Sequence, residues 1–314
     1  MTTSINSSMK INTKLLLLVL TFIWGTPGFS QINAVDSSKK LMDIIQLSED
    51  ESLKANIFFA DKTERQLYIF EPGGKVKESY VIDIGKNDGN KTKQDDKKTP
   101  EGIYLLEKKL TQPEIPFDLY GSLAITTNYP NAFDRFEKKT GHGIWLHSVP
   151  DTVALTRGSR GCVVVRNENI KKIADYAELN KSYLMINDKA RWVSSEEHDS
   201  AKIKITTWLE VWRQHWEKQD LDSYFKHYSK DFSAPEFNLN SWKTHKQKLK
   251  KIYKDIQISF GSPHIFHQKN QYLIKFRQNY KSNQHGDEGI KTLFIIEEQG
   301  DLKILREEWS PLPT

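Results

Sequence analysis

Two neighbouring stretches decide how this chain reads: Gly141-His142-Gly143-Ile144-Trp145-Leu146-His147-Ser148, and Arg157-Gly158-Ser159-Arg160-Gly161-Cys162-Val163-Val164-Val165-Arg166-Asn167. Gly143–His147 and Cys162–Val165 are short apolar runs of strand type, bounded by glycine, serine and charge. Laid side by side, such strands bring His147, near the end of the first, to Cys162 at the start of the second. A cysteine nucleophile needs a base or cation to raise its thiolate fraction, and backbone N–H donors where an oxyanion forms. His147 supplies the base. Gly161 permits close backbone approach, and the N–H groups of Gly161 and Cys162 are the expected oxyanion donors. Arg160 and Arg166 add positive potential that favours thiolate and a carboxylate-bearing substrate. His142 is the competing base, but it shares a side with His147 only if the strand bends. Trp145 reads either as core packing or as a wall of the site against sugar or peptide.

Outward from this pair, most of residues 56–188 reads as strands. Ile57–Ala60 and Gln66–Phe70 flank a polar turn, Val76–Ile84 alternates, and Gly102–Leu106, Ser122–Thr127 and Tyr183–Ile186 follow the same pattern. Asn167 is a helix N-cap for about 168–179. The polar, charged segment Asn87–Lys98 reads as a mobile loop. Leu41, Ile44, Ile45 and Leu47 suggest a helical lead-in over 31–54. Around 194–200 the composition turns polar, which places a domain boundary there. Beyond it Trp208, Leu209, Trp212 and Trp216 recur at helical spacing, and strands follow at 256–260, 272–280, 289–297 and 302–309. Helices first and then an antiparallel sheet describe an α+β domain over 199–314.

The chain has 314 residues, a net charge of +5 spread over interspersed signs, and a mean hydropathy of −0.63. That excludes a polytopic membrane protein and argues against a nucleic-acid partner, which calls for a basic stripe. One cysteine excludes a disulfide framework and a Cys-rich metal site, and His264 and His267 are a weak metal signal. Lys10 and Lys14 before Leu15–Trp24, with Gly28-Phe29-Ser30 after Pro27, read as a cleaved signal peptide over 1–30, so the protein is expected to be exported, periplasmic where the cell has that compartment. The apolar run is far shorter than a bilayer span, so no stable membrane anchor is expected.

Ser159-Arg160-Gly161-Cys162, preceded by Ile144-Trp145-Leu146-His147 and by Thr99-Pro100-Glu101-Gly102-Ile103-Tyr104, resembles the YkuD-type L,D-transpeptidase domain. The resemblance covers about 55–192. It implies a β-rich fold, no cofactor and no metal, and cysteine acyl transfer on peptidoglycan stem peptides at the bond between the third-position diamino acid and D-alanine. It also implies Cys162 as nucleophile, His147 as general base, and the Ser148 carbonyl as the group orienting the imidazole. Ser148 stands where glycine is frequent, a change expected to be harmless because only the backbone is used. Arg160 stands where many members have histidine, which bears on substrate contacts. Ser159, Arg160, Arg166, Trp145 and His142 are the expected substrate-binding set. Water, a second stem amine or a protein lysine as acceptor distinguishes carboxypeptidase, crosslinking and attachment chemistry.

The C-terminal region is similar in pattern to nuclear-transport-factor-2-like (NTF2-like) cone domains. With the domain before it, it resembles the cell-shape-determining L,D-carboxypeptidases of curved bacteria. A cone of this type offers a pocket, though nothing in 199–314 names its ligand. The Trp208–Trp216 stripe is read as core rather than as a glycan-stacking face, and Lys243–Lys254 as a solvated helix face. The competing reading of the whole chain is a non-catalytic wall-binding or scaffolding protein with a relic site.

Overall fold

A computed structural model describes residues 38–156 and 158–312. The expected signal peptide over 1–30 and the first residues of the lead-in lie outside the described residues, as does Arg157. Two sheets carry the fold. The first has eight strands, running in space from Val76–Val81 through Gln66–Phe70, Ile57–Asp61, Tyr183–Asn187, Gly102–Leu110, Ala124–Thr127 and Trp145–Val149 to Val163–Arg166. The second is built mainly from the long antiparallel strands Gln271–Lys281, Gly286–Glu298 and Asp301–Pro311.

The strand Ile57–Asp61 shows why the first sheet sits where it does. All its residues are buried, and they alternate between two cores. Phe58 and Ala60 face the core closed by Ile170, Ile173 and Ala174 of the helix Asn167–Asp175. Ile57 and Phe59 face the other way, onto Phe266, Leu273 and Phe294 of the second sheet. A half-exposed strand would show polar residues at alternate positions; an unbroken apolar run marks burial on both faces. The two domains therefore share a core. At about 1.5–3 kcal/mol for each fully buried large apolar side chain, this seam is a stable junction.

The lead-in differs from the expected helix. Lys39–Leu41 is a strand paired with Trp192–Ser194, and Ile44–Gln46 is an edge strand of the second sheet, paired with His264–Gln268. Ile44 enters the shared core and Ile45 the C-terminal core, so adjacent β-branched residues point to opposite faces. The same apolar positions fit a helix of spacing three and four, which is why the pattern misleads.

The helix Ser195–Glu217, capped by the Ser194 hydroxyl, opens the C-terminal domain and lays Ile205, Leu209 and Trp212 on the second sheet. Trp212 is fully buried and its indole donates to Tyr228 Oη at 3.3 Å, so this part of the tryptophan stripe is core. The Asn167 helix is shorter than expected, and Asn167 is its first residue rather than its cap. No helix among the described residues is long and apolar enough to cross a membrane.

Candidate active site

The strands Trp145–Val149 and Val163–Arg166 are parallel neighbours, with Leu146 opposite Val163 and His147 opposite Val164. That register sets Cys162 opposite Trp145, and side chains two apart share a face. Cys162 and His147 thus lie diagonally on one face of the two strands. Both open into one cavity of about 630 Å³, lined also by Lys91, Tyr120, His142, Trp145, Ser159 and Arg160.

His147 is 5% exposed and its Nδ1 lies 2.7 Å from Ser148 O. A carbonyl only accepts, so Nδ1 carries the proton and Nε2 is left as the basic atom. Burial lowers the imidazole to about 4, with the Ser148 carbonyl pulling the other way. Tyr120 holds the ring edge-on, at a centroid distance of 5.0 Å, and also packs on Trp145. Sequence reasoning missed Tyr120: it lies in a short helix, Phe117–Tyr120, far along the chain, and nothing local marks it.

Cys162 is half-buried, and its thiol points to Gly143 O at 3.4 Å. Burial pushes it up to about 11, against the Trp145 backbone contact and the Lys91 charge, which both favour thiolate. At rest, therefore, the pair is an uncharged thiol and a neutral imidazole. Such a pair reacts by handing the sulfur proton to Nε2 as the sulfur attacks, not by storing a preformed ion pair.

The turn before Cys162 is tightly determined. Gly161 has φ +133°, and a Cβ there would lie 2.7 Å from Lys98 O, so only glycine fits. Ser159 Oγ donates to Cys162 O at 2.8 Å and accepts from Gly161 N at 3.1 Å. Two expectations change with this. Ser159 lines the cavity but its hydroxyl organises the nucleophile turn, and the Gly161 N–H is engaged by that hydroxyl at rest rather than facing an oxyanion. Asp83, 4% exposed, accepts from Gly158 N at 2.8 Å and from Arg65 at 3.0 Å, anchoring the start of the turn.

The expected substrate set divides. Trp145 lines the cavity. Arg160 stands at the rim, with Asp95 3.7 Å away. His142 is exposed at the mouth between two glycines of positive φ, Gly141 and Gly143, outside the strand that holds His147. Arg166 is not a cavity residue: its guanidinium donates to Val153 O at 2.8 Å and braces the loop that joins the two strands. Alternation puts Arg166 on the face of Cys162 and Val164, but it stands at the far end of the strand, beyond the residues that line the cavity.

Ser148 contributes more than its backbone. The side chain is fully buried, with Oγ 3.2 Å from Tyr120 O and 3.1 Å from Asn167 Oδ1, and it accepts from Ser122 N at 3.2 Å. The hydroxyl ties the Tyr120 helix to the catalytic strand, and glycine there would leave these groups without it.

The segment 87–98 is also unlike the mobile loop expected. Asp96 accepts from the backbone N–H of Thr92, Lys93 and Lys98 and from Lys91 Nζ at 2.8 Å. Burial alone raises such a carboxyl, yet Lys91 and these amides hold it down at about 2. Lys91, 3% exposed, donates also to Lys93 O.

The C-terminal domain has its own cavity of about 290 Å³, lined among others by Trp216, Lys246, Gln278, Tyr280, Asp287 and Lys291. Lys246 belongs to the helix Leu239–Ile252 and, contrary to a solvated face, is 8% exposed. Its ammonium sits 4.4 Å from the Trp216 ring and 4.6 Å from Trp242. Burial pulls it down to about 8, while the Glu307 carboxylate pulls it up. Lys291 donates to Glu307 at 3.0 Å. His264 accepts from Ser48 N and donates to Leu53 O, a structural role, and the described residues hold no cluster of metal-ligating side chains.

A cysteine just before one strand, a histidine on its parallel neighbour and an adjacent glycine turn make up the candidate site, in a domain followed by a second, cone-like one. The family model of the L,D-transpeptidase catalytic domain, YkuD, matches residues 55–194, and that of the Cds6 C-terminal NTF2-like domain matches residues 204–308. The structure of Bd1075 from Bdellovibrio bacteriovorus is 46% identical, with a TM-score of 0.81, over 88% of this chain and 99% of that one. The helical cell shape determining protein Pgp2 from Campylobacter jejuni is 26% identical, with a TM-score of 0.67, over 86% of this chain and 95% of that one. Comparison with curated protein sequences returned no match. The chain belongs to the YkuD family of L,D-transpeptidase catalytic domains, in the branch that carries a C-terminal NTF2-like domain.

Proposed function

We propose that this protein is an exported enzyme that cleaves the L,D bond between the third-position diamino acid and the terminal D-alanine of peptidoglycan tetrapeptide stems. The observation that carries this reading is the shared face of Cys162 and His147 above one open cavity. As the sulfur attacks the carbonyl carbon, its proton passes to His147 Nε2. The tetrahedral adduct collapses with loss of D-alanine, whose amine takes that proton, and a thioester remains. Water then gives its proton to Nε2 and its oxygen to the acyl carbon, freeing a tripeptide and restoring the thiol. An amine from a second stem in place of water yields a crosslink at the same thioester.

Family membership and the likeness to a cell-shape determinant support peptidoglycan as substrate. Lys10, Lys14 and the apolar run Leu15–Trp24 support export. The cone cavity, with Lys246 and Lys291 beside aromatic rings, is suited to a ligand bearing an acidic group. The test is muropeptide analysis after incubating purified protein with tetrapeptide-containing peptidoglycan. Tripeptide products mean hydrolysis and new dimers mean crosslinking. An unchanged profile contradicts the reading and restores the relic-site alternative.

A further inference from the structure

The turn Lys269–Asn270 of the C-terminal domain reaches across the domain junction to the wall of the catalytic cavity. Lys269 Nζ donates to Glu101 Oε2 at 2.7 Å. The other oxygen of Glu101, a residue 7% exposed, accepts from Lys62 Nζ at 2.8 Å, and Lys62 donates on to Gly89 O at 2.9 Å. The Glu101 backbone N–H donates to Asn90 Oδ1 at 2.8 Å. Both connections fix the point where segment 91–98 begins.

That segment is the side of the cavity nearest the nucleophile turn. Lys98 O is the atom a Cβ at Gly161 would meet, and Lys91 Cε lies 3.3 Å from where a Cβ at Gly141 would stand. Thr140 N donates to Thr92 O at 3.1 Å, and Gln94 N donates to Thr140 Oγ1 at 3.0 Å, so the segment is bound to the loop leading to His142. A second strut starts beside the first. Gln271 Nε2 donates to Glu137 Oε1 at 2.6 Å, and Glu137 pairs with Lys139 at 2.9 Å, next to Thr140.

We propose that Lys269 is a positioning residue for the reaction at Cys162, holding through Glu101 and Lys62 the segment 89–98 that walls the nucleophile turn. This rests on the reading of Cys162 as the nucleophile. The ion pair itself is a poor source of global stability, because the Lys269 side chain is 59% exposed. Small displacements of groups around a reacting centre, by contrast, are costly to rate. The C-terminal domain is thereby part of the catalytic scaffold as well as a cone with its own cavity.

The test uses the full chain with Lys269→Met and Lys269→Arg. Turnover of a synthetic tetrapeptide is measured per competent site, the sites being counted by covalent titration with a carbapenem, and amide exchange is followed over 87–99. The expected result for Lys269→Met is a fall in kcat of about tenfold with KM little changed, faster exchange at Thr92, Lys93 and Lys98, and an unaltered unfolding midpoint. Lys269→Arg, which can keep the pair, restores both kcat and exchange. Wild-type kcat per site in Lys269→Met, or unchanged exchange over the segment, overturns the proposal. A wild-type protein that accepts no carbapenem and turns over no tetrapeptide overturns instead the reading of Cys162, and the exchange comparison still decides whether Lys269 holds the segment.

Discussion

Lys91 in the wall of one cavity and Lys246 in the wall of the other are both buried, and the two are held in opposite ways. In the first cavity Lys91 is neutralised by Asp96 and hydrogen-bonded to Lys93 O, while Cys162 and His147, the proposed reacting groups, are uncharged at rest. In the cone Lys246 has ring faces around it and no hydrogen-bond acceptor among the described residues, and burial pulls its ammonium down to about 8. A charge with its partner in place is framework. Lys246 instead rests on ring faces and on the attraction of the Glu307 carboxylate, without a hydrogen-bonded carboxylate of its own. The catalytic domain thus pairs Lys91 to set the shape of its wall, whereas the cone pairs Lys291 with Glu307 and leaves Lys246 against ring faces.

The strongest way to break this contrast is at the reacting pair. Cys162→Ala is expected to lower tetrapeptide turnover at least about 10³-fold with unchanged folding, read by muropeptide products and circular dichroism. His147→Asn is expected to cost about 10²–10⁴-fold, since only proton transfer is removed. The resting state of the pair fixes the pH dependence. The imidazole, lowered to about 4, is basic above that value, so kcat/KM is flat through 6.5, the ordinary imidazole value, and falls only as pH drops toward about 4. A limb close to neutral pH, well inside the range between the imidazole at about 4 and the thiol at about 11, would contradict that resting state.

The lysines give smaller effects of opposite sign. Lys91→Met strands the Asp96 carboxylate on its amides alone and is expected to cost about 1–3 kcal/mol of stability, with slower acylation of Cys162, both measurable on one preparation. Lys246→Met is expected to stabilise the fold by about 1 kcal/mol near neutral pH, the relief of burial being partly offset by attraction lost at Glu307. Because the folded-state value of Lys246 lies below its ordinary 10.5, the charged form is the strained one. The gain is therefore full below about 8 and fades as pH rises from there toward 10.5. Chemical denaturation at two pH values reads it.

Local pattern carried the parts of this molecule that are locally determined. The strand-like runs around His147 and Cys162, and the glycine between Arg160 and the nucleophile, were legible because alternation and a positive φ leave marks in sequence. Features made by distant contacts left none. Asp96 sits among lysines and looks like any solvated loop residue, yet its carboxylate gathers four donors. Lys246 lies in a run of lysines, and only the packing of Trp216 and Trp242 around it shows that it differs from its neighbours. Ser148 was expected to matter by its backbone alone, because a family pattern records which residue varies and not what its hydroxyl touches. Ile44 and Ile45 fit two periodicities, and pairing with the strand His264–Gln268, more than two hundred residues away, decided between them.

The most direct test of Cys162 as nucleophile and His147 as its base is intact-protein mass after exposure to a carbapenem, for the wild type, Cys162→Ala and His147→Asn. The account predicts a single covalent adduct on the wild type, none on Cys162→Ala, and slow, incomplete labelling of His147→Asn. An unlabelled wild type, or an adduct that persists without Cys162, would contradict it.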